Sequence, residues 1–192
     1  IIWMYDAYTH TRNYPYSNPF VVRDGVLRQF NYLRNSVKIT IHAYTGEVNA
    51  YIADPNDPII RAYAQAFPNT FKPLDAMPPA LRAHIRYPID LFQIQARLLE
   101  VYHTTDARIF FNKEDVWQIG RERPTGNEEV PMAPYYVIMQ PPGEQRPRYI
   151  LTIPFTPLNR PNLVGWLAGH CDPDRYGELV LYRFPKERTV YG

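Results

Sequence analysis

Cysteine occurs once in the 192 residues, at Cys171, so no disulfide framework exists within the chain. Glycine is scarce, with 9 residues against 20 prolines, which favours stiff, extended loops over flexible linkers and leaves no glycine-rich phosphate cradle. Long apolar runs are missing as well. The longest, Leu163 to Gly169, falls far short of the roughly 20 residues a membrane-spanning helix requires, and Ile1-Ile2-Trp3-Met4 is too short for a signal peptide. Basic runs are absent: 21 Lys and Arg interleave with 19 Asp and Glu for a net charge of +2, a mixed solvated surface that argues against a nucleic-acid partner. Ser17 and Ser36 lie outside any Gly-x-Ser-x-Gly elbow. His84 and His103 each fall on a predicted helix without a second ligand at metal spacing.

What is present is a core. Hydrophobic residues make up 45% of the chain and aromatics 15%, with 16 tyrosines, enough for a single domain spanning residues 1–192. The clearest local pattern runs from Asn31 to Asp57. Val37, Ile39, Ile41 and Ala43 alternate with Lys38, Thr40 and His42, and Val48, Ala50 and Ile52 alternate with Asn49 and Tyr51. A two-residue Thr45-Gly46 loop would place Ala43 opposite Val48, Ile41 opposite Ala50 and Ile39 opposite Ile52. All the apolar pairs then share one side, expected to lie on the core. Asp57 and Pro58 follow as N-cap and first residue of a helix that carries Ile60, Tyr63, Ala64 and Phe67 and stops at Pro68.

Ahead of the hairpin, Ile1 to Phe30 mixes aromatics with turn formers, and Thr11 to Asn18 reads as a proline-stiffened covering segment rather than a binding loop. Beyond it, Ala80 to Arg86 suits a short helix. Pro88 opens a longer one with a stripe of Leu91, Ile94, Leu98 and Val101, widened by Phe92, Leu99 and Tyr102. Ala107 to Phe111 reads as a short strand and Asn112 to Trp117 as a helical turn capped by Asn112. Gly120 to Pro131 is the most polar stretch, a loop by composition. Tyr135–Gln140 and Tyr149–Pro154 form a second hairpin. Leu163–Ala168, preferred as strand over helix, and Glu178–Phe184 form a third across the turn-rich Asp172–Gly177. The sum is α+β: an antiparallel sheet of about six strands built from hairpins, with helices clustered between the first and second.

Candidate chemistry is thin. Asp172, Asp174 and Gly177 resemble half a calcium loop, but Arg183 stands where the bidentate Glu belongs, and the turn reading is preferred. His170 and Cys171 are adjacent, so on a strand they face opposite ways and make a poor catalytic pair. The carboxylate pairs Glu114/Asp115 and Asp54/Asp57 sit where caps and turns want acids. No catalytic residue, cofactor or metal site is identified, and enzymatic activity is left open. The best binding candidates are Arg34, Asn35, Asn159, Arg160 and Asn162, polar groups on stiff backbone beside aromatics, with loop hydrogen bonding as the plainer role.

Several longer motifs point further. Tyr14-Pro15-Tyr16-Ser17, Asn31 to Lys38, Asp54-Pro55-Asn56-Asp57-Pro58, the Tyr135 to Met139 run, Phe155 to Asn162 and Tyr182-Arg183-Phe184-Pro185-Lys186 together resemble bacterial uncharacterised protein family 0182, in order and over nearly the whole chain. Members resemble large integral membrane proteins whose spanning helices precede a big soluble region. The resemblance implies an internal fragment of that region, at the cell membrane and on its extracytoplasmic side. The absence of an initiating Met agrees with a fragment. The implied partners are the membrane part of its own full-length chain and other envelope proteins. The family carries no established activity, so no catalytic role transfers. The expectation is an interaction or scaffolding module, with an enzyme acting on envelope material or a small-ligand sensor as alternatives.

Overall fold

The structure, a computed structural model, describes residues 1–23, 27–123 and 128–185. The fold is α+β, and it divides into two compact units, Ile1–Arg82 and Ala83–Gly192. Lys186 and residues 124–127 of the polar stretch lie outside the described residues.

The first unit contains β1 (Ile2–Thr11), β2 (Phe20–Arg23), β3 (Leu27–Phe30), β4 (Tyr32–His42), β5 (Val48–Ile52), α1 (Pro58–Ala66), β6 (Phe71–Pro73), a 3-10 turn at Leu74–Ala76 and α2 (Pro79–Arg82). Its main sheet has the order β1-β4-β5-β6, and β2 and β3 make a separate ribbon. The β5–β6 pair is parallel, with α1 in the connection, as a parallel pair needs a crossover. Asp57 caps α1 as expected, its carboxylate accepting the amide of Ile59 at 3.0 Å, with Pro58 in the first helical turn.

The β4–β5 hairpin forms, with two corrections. Its register is shifted by two residues: Ile41 faces Val48, Ile39 faces Ala50 and Val37 faces Ile52. The loop is longer than two residues because the Gly46 amide bonds back to the His42 carbonyl and the His42 amide to Glu47, with Gly46 in the left-handed region at φ 71°. A shift of two keeps the apolar residues together but does not fix which side is covered. The side carrying Ser36, Lys38, Thr40 and Tyr51 is the more buried one; on the other side Val37 is buried, Ile39, Ile41, Ala50 and Ile52 are half-buried and Val48 is exposed. Polar groups tolerate burial when paired. Ser36 donates to Asp57 at 2.5 Å, and Lys38 pairs with Asp6.

The second unit contains α3 (Ile89–Tyr102), α4 (Ala107–Asn112), β7 (Trp117–Ile119), β8 (Arg121–Glu122), β9 (Val130–Pro131), β10 (Tyr135–Met139), β11 (Arg148–Pro157), β12 (Gly165–His170) and β13 (Leu179–Arg183). The order β10-β11-β12-β13 contains the second and third hairpins, and β7 joins the far end of β11. Leu151, Ile153 and Phe155 of β11 and Leu167 of β12 form a buried cluster with Phe92 and Ala96 of α3, Tyr87, Trp117 and Cys171. Each fully buried large apolar side chain contributes roughly 1.5–3 kcal/mol.

The buried face of α3 centres on Phe92 and Ala96, and Leu98 and Tyr102 of the expected stripe are exposed. The strand expected at Ala107–Phe111 is helix α4, because the Asp106 carboxylate accepts from the amides of Arg108 and Ile109. Lys113, left-handed at φ 54°, ends that helix, so the expected helical turn gives way to β7. The flanks of the polar stretch pair as the short β8–β9 ribbon rather than as loop.

Candidate functional site

Three features stand out: an apolar sheet face and a buried carboxylate in the first unit, and an ionic lattice in the second.

The sheet face follows from register. Trp3, Ile41 and Val48 lie in one cross-strand row, Tyr5, Ile39 and Ala50 in the next, and Ala7, Val37 and Ile52 in the third. Residues directly opposed across antiparallel strands share a face. Trp3 is 56% exposed, Tyr5 49% and Val48 60%, and the Trp3 and Tyr5 rings stack with centroids 6.3 Å apart. Large contiguous apolar patches are uncommon on monomeric surfaces and mark interaction sites. The sequence pattern hid this face because Ile2 and Met4 alternate with Trp3 and Tyr5, so β1 is apolar on both sides and shows no period of two. The readable signal is the aromatic pair at positions 3 and 5.

On the buried side, Asp57 gathers four donors. Thr9 and Ser36 each donate to Oδ2 at 2.5 Å, and Tyr32 (2.6 Å) and the Ile59 amide donate to Oδ1. Burial pushes the carboxyl pKa up, but the hydrogen bonds from Ser36, Thr9, Tyr32 and Ile59 outweigh it and the net shift is down. Tyr32 is pushed up to about 12 by burial and by its bond to Asp57. These bonds tie α1 to β1 and β4 and leave the carboxylate no open position, so this is a structural hub.

In the second unit the 141–147 and 172–178 turns meet over Arg148. Its Nε donates to Glu144 at 3.1 Å and its Nη1 to Asp174 at 2.8 Å. Arg146 also reaches Asp174 (2.6 Å), and Arg175 pairs with Glu144 and Glu178. Hydrogen bonds from Arg148 hold Glu144 and Asp174 below the usual carboxylate range, and Arg175 does the same for Glu178. Asp172 accepts the Tyr149 amide at 3.2 Å, so the acids of the calcium-like turn serve arginines and backbone. Beside this lattice His170 is fully buried, and neither ring nitrogen has a hydrogen-bond partner among the described residues. Cys171 is buried too. It accepts the Tyr87 amide at 3.3 Å, and burial pushes its thiol pKa up, the opposite of nucleophile activation.

The sequence-selected residues divide between the units. Arg34 donates to Asp54 at 3.1 Å and lies 5.7 Å from the Tyr32 ring, and Asn35 donates to the Ala7 carbonyl at 3.3 Å, beside the β1–β4 bulge. Asn159, Arg160 and Asn162 are exposed on the turn after β11, with Asn159 left-handed at φ 60°.

The family model for Uncharacterised protein family (UPF0182) matches residues 1–192. The chain belongs to this family. It is 51% identical to a UPF0182 protein of Methanospirillum hungatei over 99% of its length, and 49% identical to one of Pelotomaculum thermopropionicum over all of it. A UPF0182 protein of Nostoc sp. is 51% identical, again over the whole chain. The chain spans only 21%, 20% and 18% of the lengths of these three UPF0182 relatives. No solved structure matches. Among the described residues, no helix is long and apolar enough to cross a membrane.

Proposed function

We propose that this segment of a UPF0182 protein is an interaction or scaffolding module on the extracytoplasmic side of the cell membrane. Its Trp3–Tyr5–Val48 face docks on another part of its own full-length chain. The observation that carries the reading is the exposed, stacked aromatic face on a sheet whose polar side is the buried one. The occupant is argued from length: relatives of this chain are about five times longer, so a large polypeptide is available to cover the face. The membrane address rests on the family resemblance alone. A catalytic or sensing role has less support, because Glu144, Asp174 and Glu178, the acids that converge, are each held by an arginine.

A photo-crosslinking residue placed at position 3 of the full-length protein tests this, with the same residue at the exposed Tyr63 as control. Capture of a segment outside these 192 residues is the expected result. Capture of another envelope protein would keep the interaction role and replace its occupant. Cross-linking no stronger than at position 63 would remove the reading. A ligand that raised the melting temperature, by the equivalent of roughly 2.7 kcal/mol at a hundredfold excess over its Kd, would move the reading toward sensing.

A further inference from the structure

The backbone of β1 sets how a partner segment would bind. β1 is an edge strand of ten residues, paired only with β4 among the described residues. The Ala43 amide donates to the Ile1 carbonyl at 3.0 Å, which makes Ile1 and Ala43 a hydrogen-bonded pair. In an antiparallel ladder such pairs alternate with pairs whose N–H and C=O groups point outward. Trp3 and Tyr5, opposite Ile41 and Ile39, therefore spend their backbone groups on β4, and those of Ile2, Met4 and Asp6 point away from it.

Native sheets protect such edges with charged side chains, prolines, bulges or very short strands. Over Ile2–Ala7, β1 carries one such device, Asp6, whose carboxylate pairs with Lys38 of β4; it has no proline there, and its one register shift comes only beyond Ala7. Its side chains are exposed on both faces of the sheet there: Ile2 at 39%, Trp3 at 56% and Tyr5 at 49%. An extended segment laid along this edge would satisfy the outward backbone groups and pack its alternate side chains against Trp3 and Tyr5. Main-chain bonds would supply affinity and the aromatic pair specificity.

We infer that β1 is completed by strand addition: an extended segment of the same full-length polypeptide, from outside these 192 residues, pairs with the Ile2–Asp6 edge. This rests on the docking reading and narrows it to one geometry.

Hydrogen exchange resolved amide by amide on the full-length protein tests it. The expected result is that the outward amides of Ile2, Met4 and Asp6 are slowed on the order of a hundredfold relative to unstructured chain, alongside the inward amides of Trp3 and Tyr5. Rapid exchange at Ile2, Met4 and Asp6, with Trp3 and Tyr5 still slow and position 3 still capturing its own chain, would overturn strand addition and leave docking intact. Rapid outward exchange together with no capture at position 3 would overturn both. Protection that disappears on dilution to a monomer would assign the added strand to a second copy and overturn the intramolecular assignment.

Discussion

At the scale of single residues, two buried titratable groups are treated in opposite ways. Asp57 is charged and fully paired; the buried His170 ring has no hydrogen-bond partner among the described residues. Replacing Asp57 with Ala removes a helix cap and strands the Thr9 and Ser36 hydroxyls, so urea unfolding should show a loss of about 3 kcal/mol. Asp57→Asn, which still caps, should lose less. Because the folded pKa of Asp57 is depressed, its contribution is complete above the unfolded carboxylate value of about 4 and disappears as pH falls through the folded value. His170 acts in a higher window. Burial, and then the charge of Arg175, depress its pKa, so the unfolded chain takes up the proton first as pH drops below about 6.5. Stability from this group is therefore full above that pH and declines on acidification. His170→Leu should flatten the profile below about pH 6.5 and change stability at pH 7.5 by less than about 1 kcal/mol, since no hydrogen bond to a described residue is lost. An unchanged acid slope in the variant would refute the assignment.

At the scale of elements, β12 shows what a glycine inside a strand is for. A Cβ on Gly169 would come within 3.0 Å of the Tyr87 ring and 3.2 Å of Phe92, both in the packed core of the second unit. Gly169→Ala should cost about 1–3 kcal/mol through overpacking. Gly46→Ala meets no atom within 4 Å and should cost only about 1 kcal/mol, through its positive φ. Paired urea titrations would rank the two. The same contrast explains what the sequence made legible. The second and third hairpins and α1 were readable because their signals are local: alternation, turn residues, and Asp57-Pro58 at a helix start. The β4–β5 register slipped by two because the Gly46–His42 bond that sets the loop length leaves no mark in composition. The covered face of that hairpin is not legible locally, because partners 21 and 32 residues away make burial of Ser36 and Lys38 tolerable. The swap of strand and helix around α4 turned on the Asp106 cap. Of the surface features, Arg34, Asn35 and Asn159 were visible as polar groups on stiff backbone, whereas the Trp3–Tyr5 face needed the β1–β4 pairing to exist at all.

At the scale of the whole molecule, one surface meets two contexts. Within these 192 residues Trp3 and Tyr5 are about half exposed, so Trp3→Ser with Tyr5→Ser removes little buried apolar area. Surface changes of this kind usually shift stability by about 0.5 kcal/mol each or less. In the full-length protein, docking would bury the same rings, and burial of a large aromatic is worth roughly 1.5–3 kcal/mol per side chain. The double variant should then cost the complete protein at least about 2 kcal/mol in unfolding while leaving the 192-residue chain within about 1 kcal/mol of wild type. Urea unfolding in both contexts, with far-UV spectra establishing that the shorter chain is folded, gives the comparison. Equal, small effects in the two contexts would mean that the face stays open to water in the complete protein, and the docking role would be lost. A large effect confined to the full-length protein would measure how much the rest of that polypeptide relies on this sheet.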